Sequence, residues 1–148
     1  MSSGKALPYE ATLMVRDCCL CLHVQRAARS LARRFDDALR PFGLTNGQFS
    51  LLMSLNRPEP PAMGPLASLL AMDRTTLTAA LKPLERGGLV KIIPDPSDGR
   101  SRILKLTVKG RNLMARALPA WKSTHDEVER MIPGEAPEAL RRSLRALA

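Results

Sequence analysis

The chain has 148 residues, enough for one domain with a real core, and with only 3% aromatic residues that core must be mostly Leu, Ala, Met and Val. Lys and Arg outnumber Asp and Glu by 23 to 14, and the net charge of +9 favours a polyanionic partner, either nucleic acid or an anionic membrane surface. No apolar run reaches the roughly 18 residues of a membrane-spanning helix, and the N-terminus has no basic segment followed by an apolar one. These features argue against membrane insertion and secretion, and we expect a cytoplasmic protein.

The first predicted element is a long helix over Thr12–Arg40, preceded by an arm over Met1–Ala11 that shows no periodicity. Pro41 and Gly43 end this helix. Its apolar stripe is longer than one small domain can cover, so a partner chain is expected. The stripe consists of Leu20, Val24, Ala27, Leu31, Phe35 and Leu39.

Three cysteines, Cys18, Cys19 and Cys21, cluster inside this helix. Their odd number and close spacing do not suit a disulfide framework and agree with a reducing compartment. Cys18 and Cys21 form a C-x-x-C pair, which occurs in redox sites and in half of a zinc site. No second pair follows, so we predict neither a metal nor a cofactor. Cys21 is expected to be a small buried side chain at the edge of the stripe, with a redox role as the alternative.

The next helix has clear start signals. Thr45 and Gln48 have the spacing of a capping box, and Leu44 can pack against Phe49 across the cap. The expected core positions are Phe49, Leu52, Met53 and Leu55.

A stiff loop over Asn56–Pro65 contains four prolines. Pro65 suits the first position of a short helix that would bury Leu66, Leu69 and Leu70.

The stretch Met72–Val90 predicts a helix with two different faces. Asp73 is a good N-cap, and Gly88 can take the left-handed position that ends the helix. Leu77, Leu81 and Leu84 share the inner stripe. The outer face carries Thr75, Thr78, Ala79, Lys82 and Arg86, with Arg74 at the leading end. Short hydroxyls and long cations suit a DNA major groove, although this stretch alone is equally compatible with an ordinary solvated helix.

After Gly88 the hydrophobic period changes to two. Leu89–Asp95 and Arg102–Thr107 predict two strands around the turn cluster Pro96–Gly99. A short helix, a turn, a second helix and then a hairpin are the parts of a winged helix-turn-helix. From residue 73 to residue 109 the chain carries eight basic and four acidic residues, and the sign of this charge supports DNA.

Thr107 can cap a further helix that Pro119 is expected to interrupt and kink and that Pro133 and Gly134 end. Its stripe consists of Leu113, Ala117, Trp121, Thr124, Val128 and Ile132. A final short helix presents Leu140, Leu144 and Leu147 on one side.

Three short sequence motifs carry a family resemblance. They are GLTNGQFSLL at Gly43–Leu52, MDRTTLTAALKPLERGGLV at Met72–Val90, and the wing motif Asp98-x-Arg100 followed by Leu106-Thr107-x-x-Gly110. Together they resemble the MarR family of bacterial winged-helix transcriptional regulators over about residues 18–128. The resemblance implies a mainly α fold in a single domain spanning residues 1–148. In this domain, dimerisation helices over 12–40 and 108–148 flank a DNA-binding region over 45–107, with the wing at 89–107.

What the resemblance implies for function is a homodimer on double-stranded DNA. Each subunit would offer one recognition helix to the major groove and one wing to the minor groove of a pseudo-palindromic operator, acting as a repressor. Arg100 resembles the arginine that enters the minor groove, and Asp98 resembles the carboxylate that orients it. A surface salt bridge that stabilises the turn is the alternative for this pair. The expected DNA-binding residues are Arg74, Thr75, Thr76, Thr78, Lys82, Arg86, Asp98, Arg100 and Arg102.

Two routes of release follow from the same resemblance. The first is a small aromatic or phenolic effector bound between the dimerisation helices and the winged domain. The second is thiol oxidation, because Cys21 aligns with the sensing cysteine of the peroxide-responsive branch, although the only tyrosine is Tyr9 and the supporting tyrosines are missing. Candidate ligand or redox residues are Cys21, His23, Arg26, Trp121 and His125. A core tryptophan and exposed histidines would explain these residues equally well.

No constellation for catalysis is present: the sequence has no phosphate-binding glycine loop, no serine elbow, and histidines only at His23 and His125. We therefore expect no enzyme. The remaining alternative is a nonspecific architectural DNA-binding protein or a winged-helix domain used for protein contacts. Competition by genomic DNA would distinguish either from a specific regulator.

Overall fold

The computed structural model describes residues 6–134 and 136–148, which form two compact units: one up to Arg34 and one from Phe35 onward. The helices are α1 (Tyr9–Cys18), α2 (Leu20–Leu39), α3 (Asn46–Ser54), α4 (Met63–Leu69), α5 (Arg74–Arg86), α6 (Val108–Met131) and α7 (Ala136–Ala146). A single turn of 3-10 helix covers Arg40–Phe42, and the strands are β1 (Val90–Asp95) and β2 (Asp98–Leu106). The mainly helical fold with a two-stranded hairpin is thus confirmed. Among the described residues, none of the helices combines the length and apolar character needed to cross a bilayer.

The N-terminal unit corrects the prediction of one continuous helix over 12–40. α1 already begins at Tyr9, inside the expected arm, and the chain leaves the helical conformation at Cys19, whose ψ is 107°. The break is capped on both sides. The Cys19 N–H donates to Val15 O at 3.0 Å, and Cys19 Sγ accepts from the Leu22 N–H at 3.4 Å. Residues 1–5 of the expected arm lie outside the described residues.

The unit from Phe35 onward contains the hydrophobic core. As the scarcity of aromatic residues predicted, leucine dominates it. The buried apolar residues are Leu39, Leu44, Phe49, Leu51, Leu52, Leu55, Met63, Leu66, Ala67, Leu77, Leu81, Leu84, Leu89, Val90, Leu104, Leu106, Met114 and Ala117.

The start of α3 confirms the predicted capping box. Thr45 Oγ1 accepts from the Gln48 N–H at 3.2 Å, and Gln48 Oε1 accepts from the Thr45 N–H at 3.0 Å. Gly43 before it has a φ of 69°, the left-handed conformation that ends the preceding turn. Of the expected core positions, Met53 is only half-buried, and Leu51, which was not predicted, is buried.

The short helix α4 differs from the prediction in two respects. It begins at Met63, so Pro65 is its third residue rather than its first. Leu69 is 63% exposed, and Met63, Leu66 and Ala67 are buried in its place. Because the helix begins earlier, the buried stripe follows the spacing i, i+3, i+4 from Met63, and Leu69 falls outside it.

The hairpin is tighter than predicted. Only Pro96 and Ser97 form the turn, and β2 already begins at Asp98. The register pairs Val90 with Leu106 at the base and Pro94 with Arg102 near the tip, with an irregularity after Pro94. Ala62 adds a short antiparallel bridge to Ile103, which attaches the proline loop to the wing.

Thr107 caps α6 as predicted: its Oγ1 accepts from the Gly110 N–H at 3.0 Å. The helix then continues through Pro119 to Met131, so the expected interruption is wrong. A proline in a helix removes one main-chain donor without stopping the helix when the surrounding turns pack. Ala117 and Thr124 on the predicted stripe are buried, and Trp121 is half-buried.

Candidate nucleic-acid interface

The first turn of α5 is fixed by Asp73. One carboxylate oxygen accepts from the Thr76 N–H at 2.7 Å, and the other accepts from the Thr76 hydroxyl at 2.9 Å. The main-chain bond is the larger cause, and together these bonds lower the pKa of Asp73 below its ordinary value. Thr75 and Thr76 are both exposed, but the Thr76 hydroxyl is committed to the cap.

Leucines fix which face of α5 is presented to solvent. Leu77, Leu81 and Leu84 are at most 1% exposed, so the helix cannot rotate without losing its packing. On the opposite face, an open groove is lined by Arg74, Thr75, Thr78, Ala79 and Lys82. The structure therefore brings together on one surface the α5 residues that the sequence singled out, except that Thr76 serves the cap and Arg86 lies one turn beyond the groove.

The cations of this face are available to a ligand. Within the described residues, Arg74, Lys82 and Arg86 are all exposed, and none of them forms an ion pair. The Thr78 hydroxyl donates to Arg74 O at 2.7 Å, which holds this hydroxyl against the preceding turn. This surface therefore combines short polar groups with positive charges that form no ion pair in the described chain. Such a surface is suited to binding a polyanion.

The C-terminal end of α5 has the predicted Schellman geometry. Gly88 has a φ of 73°, its N–H donates to Glu85 O at 3.0 Å, and the Leu89 N–H donates to Leu84 O at 2.9 Å. The left-handed conformation turns the chain directly into β1, so that the hairpin follows the helix without a linker.

In the wing, Asp98, Arg100 and Arg102 are all exposed. Asp98 Oδ1 accepts from the main-chain N–H of Arg100 at 3.0 Å. We expected this carboxylate to bind the Arg100 guanidinium, but within the described residues the two side chains form no ion pair. The carboxylate therefore orients the main chain of Arg100 and leaves its guanidinium free to contact a partner.

The cysteine prediction was wrong in its main point. Cys21 is exposed in the described chain, and its Sγ accepts from Gln25 Nε2 at 3.2 Å. His23 and Arg26 are also exposed on α2, and His23 Nδ1 lies 2.7 Å from Cys19 O. The apolar periodicity placed Cys21 at the stripe edge, but no residue that the structure describes buries its side chain.

Trp121 and His125 belong to the other unit, where they join an aromatic cluster that the sequence did not reveal. The ring of Trp121 stacks on His125 with centroids 4.8 Å apart and on Phe49 with centroids 6.0 Å apart. Phe35 completes the cluster at 6.3 Å from Trp121. Since these residues come from three helices, no local sequence pattern could have predicted that they meet.

A short helix, a turn, an exposed recognition helix and an arginine-bearing hairpin define a winged helix-turn-helix DNA-binding domain.

The sequence profile described as MarR family matches residues 44–101. BadR of Rhodopseudomonas palustris, a transcriptional activatory protein, is 32% identical over 113 residues, which are 74% of this chain and 65% of that protein. TtmR of Methylorubrum extorquens is 35% identical over 97 residues, 66% of this chain and 50% of that protein. The matches thus span between half and two thirds of the length of these curated relatives.

Solved structures extend the similarity over most of the chain. The transcriptional regulator MosR of M. tuberculosis, in complex with DNA, superimposes with a TM-score of 0.79 and 37% identity, covering 87% of this chain and 92% of that one. The transcriptional repressor CouR, bound to a 23-mer DNA duplex, gives a TM-score of 0.80 and 30% identity, covering 90% and 94%. These relatives are transcriptional regulators rather than enzymes. The matching family profile and these similarities show that the chain belongs to the MarR family of transcriptional regulators.

Proposed function

We propose that this protein is a sequence-specific, double-stranded DNA-binding transcriptional regulator. The observation that carries the proposal is the exposed face of α5, where Arg74 and Lys82 lie beside the threonines and form no ion pair with any residue that the structure describes. An exposed arginine-bearing wing directly follows the helix in the chain. MosR and CouR, similar along almost the whole chain, have both been solved on DNA, which supports the same partner here.

The exposed positions of these residues on the two elements support the following proposed roles. α5 lies in the major groove, where Thr75 and Thr78 approach base edges. Arg74, Lys82 and Arg86 contact phosphates, which position the helix without reading sequence. The Arg100 guanidinium enters the minor groove, whose negative potential attracts it. Arg102 lies farther from the turn on β2, and its side chain contacts the phosphate backbone of the DNA.

The protein acts as a homodimer on a pseudo-palindromic operator, with half-sites about one helical turn apart. Support comes from apolar side chains that remain exposed in the isolated chain, because such surface is normally covered by a partner. In the N-terminal unit these include Tyr9, Met14, Val15, Leu20, Val24 and Leu31, and in the other unit Met131, Leu140, Leu144 and Leu147.

The proposed effect on transcription is repression, relieved when a signal releases the dimer from its operator. One signal is a small aromatic or phenolic ligand, and the stacked Trp121 and His125 support an aromatic compound. The other is oxidation of Cys21, whose exposed thiol is accessible to peroxide.

The decisive experiment selects bound fragments from the source genome and then measures the affinity for the selected duplex. A specific regulator keeps this duplex in excess genomic DNA, whereas an architectural protein loses it. Affinity should fall by about three to five decades between 50 and 200 mM salt. Lys82→Ala should lower the slope of that salt dependence by about one. A flat salt response or a monomer in sedimentation at working concentration would overturn the proposal.

A further inference from the structure

Three side-chain and main-chain groups at the start of α6 hold the C-terminal end of α5. Thr107 Oγ1 donates to Gly88 O at 2.7 Å, and the Thr107 N–H donates to Leu89 O at 3.1 Å. Lys109 Nζ donates to Gly87 O at 2.8 Å, although the two residues are 22 positions apart. We call this set of contacts, from Thr107, Lys109 and Gly110 to the turn Gly87–Leu89, the clasp.

Gly110 brings the two segments of the clasp into direct main-chain contact. A Cβ atom at this position would lie 2.4 Å from Leu89 O and 2.9 Å from Leu106 Cδ1. Such distances leave no room for any side chain, so the first turn of α6 lies directly against the turn that ends α5. The clasp therefore requires a glycine at position 110, the last residue of the Leu106-Thr107-x-x-Gly110 motif.

Lys109 supplies the only charge in the clasp. The last carbonyl groups of a helix have no intrahelical donor and carry partial negative charge, which a cation stabilises. The Schellman bonds satisfy Leu84 and Glu85, whereas the Gly87 carbonyl receives the ammonium group of Lys109. The end of α5 is thus completed by a residue of another helix.

From these contacts we infer that Lys109 is a positioning residue that couples the orientation of the recognition helix to the first turn of α6. The inference rests on the proposed function, in which α5 reads DNA. Because α6 lies outside the hairpin and the helix-turn-helix, a displacement of its first turn is transferred through the clasp to the end of α5. The spacing between the two recognition helices of a dimer then depends on Lys109 without any contact between Lys109 and DNA.

The alternative is that the exposed Lys109 ammonium contacts a DNA phosphate directly. The two roles differ in their salt dependence. Loss of a phosphate contact reduces the slope of log affinity against log salt by about one and weakens all duplexes alike. Loss of a positioning contact leaves that slope unchanged and weakens the operator more than unrelated DNA.

The test uses the full-length protein with Lys109→Met, Lys109→Arg and the matched control Lys122→Met, which removes an exposed charge farther along α6. The probes are the selected operator duplex, the same duplex with one base pair added or removed between half-sites, and an unrelated duplex. Lys109→Met should weaken operator binding by about two- to fivefold, the value of a cation at an exposed helix C-terminus. It should also reduce the preference for the native spacing and leave the salt slope unchanged. Lys109→Arg should restore binding, and Lys122→Met should resemble the wild type.

Amide hydrogen exchange without DNA gives a second readout. The N–H groups of Gly88 and Leu89 should exchange faster in Lys109→Met than in Lys122→Met, because both belong to the turn that Lys109 holds. Unchanged exchange and operator affinity in Lys109→Met would overturn the inference, as would a salt slope lowered by about one. Failure of the proposed function itself is distinguishable, since the wild-type protein would then show no preference for any selected duplex.

Discussion

The Asp98 carboxylate accepts a hydrogen bond from the main-chain N–H of Arg100 at 3.0 Å, so the acidic residue of the wing shapes the backbone that presents the arginine. The bond spans two residues and holds the beginning of β2 directly after the turn. It shows how a carboxylate can hold the main chain of an exposed arginine without neutralising its guanidinium.

This relationship predicts different results for two substitutions of Asp98. In Asp98→Asn the amide oxygen can still accept from the Arg100 N–H, so operator affinity should stay close to that of the wild type. Asp98→Ala should weaken binding because the turn loses its acceptor. Arg100→Ala should cost about five- to a hundredfold in operator affinity, measured by fluorescence anisotropy. Equal losses in Asp98→Asn and Asp98→Ala would show that the negative charge itself is needed.

Two glycine substitutions should change stability in opposite directions. Gly110→Ala places a Cβ atom 2.4 Å from Leu89 O, and we expect a loss of about 1–3 kcal/mol in the free energy of unfolding. Gly47 lies in α3 with no atom within 4 Å of the added Cβ, so Gly47→Ala should raise stability by about 0.4–1 kcal/mol. Urea unfolding followed by circular dichroism measures both. A neutral Gly110→Ala would contradict the close approach at the clasp.

Acid should weaken the link between the end of α2 and the start of α3. Asp36 Oδ1 accepts from the Asn46 N–H at 2.7 Å and from Asn46 Nδ2 at 2.8 Å. These bonds, the main-chain one foremost, lower the pKa of Asp36 below its ordinary value. A carboxyl group whose pKa is lower in the folded state stabilises the protein at neutral pH, and this contribution is lost as the pH falls from about 4 through the folded value.

The measurement compares the free energy of unfolding of the wild type and Asp36→Asn at pH 7 and pH 3. We expect Asp36→Asn to be less stable at pH 7 and the difference to shrink at pH 3, because the Asp36 carboxyl group of the unfolded chain is already mostly protonated there. Asp37→Asn is the matched control, because the Asp37 bond to Arg40 is an exposed pair of small value. A difference that stays constant with pH would be inconsistent with the assigned pKa shift.

The thiol route predicts a response that depends on one cysteine. Peroxide converts an exposed thiol to a sulfenic acid and water, and the exposed Cys21 is the candidate. Peroxide should therefore release the wild-type protein from its operator, and Cys21→Ser should remove the response. Cys19→Ser is the control, because Cys19 is less exposed and its sulfur already accepts the Leu22 N–H. Peroxide-driven release that persists in Cys21→Ser, measured by anisotropy, would contradict the assignment to Cys21, and the exposed Cys18 would then be the next thiol to replace.

Local chemistry determined much of this protein in advance. Short sequence motifs predict features whose groups lie within a few residues of one another. Examples are the capping box of Thr45 and Gln48, the Asp73 cap and the left-handed Gly88. The inner leucines of α5 fixed its outer face, and the fold class followed from the order of these elements. The roles of the outer residues in DNA binding remain predictions.

Other features needed the tertiary structure because they join residues that are distant in the chain. Lys109 meets Gly87 across 22 positions, and the aromatic cluster brings Phe35, Phe49 and Trp121 together from three helices. The exposure of Leu69 depended on where α4 begins, and no periodicity fixes a helix start to within two residues. Periodicity shows which side of an element is apolar, whereas only packing decides which neighbour, if any, covers it.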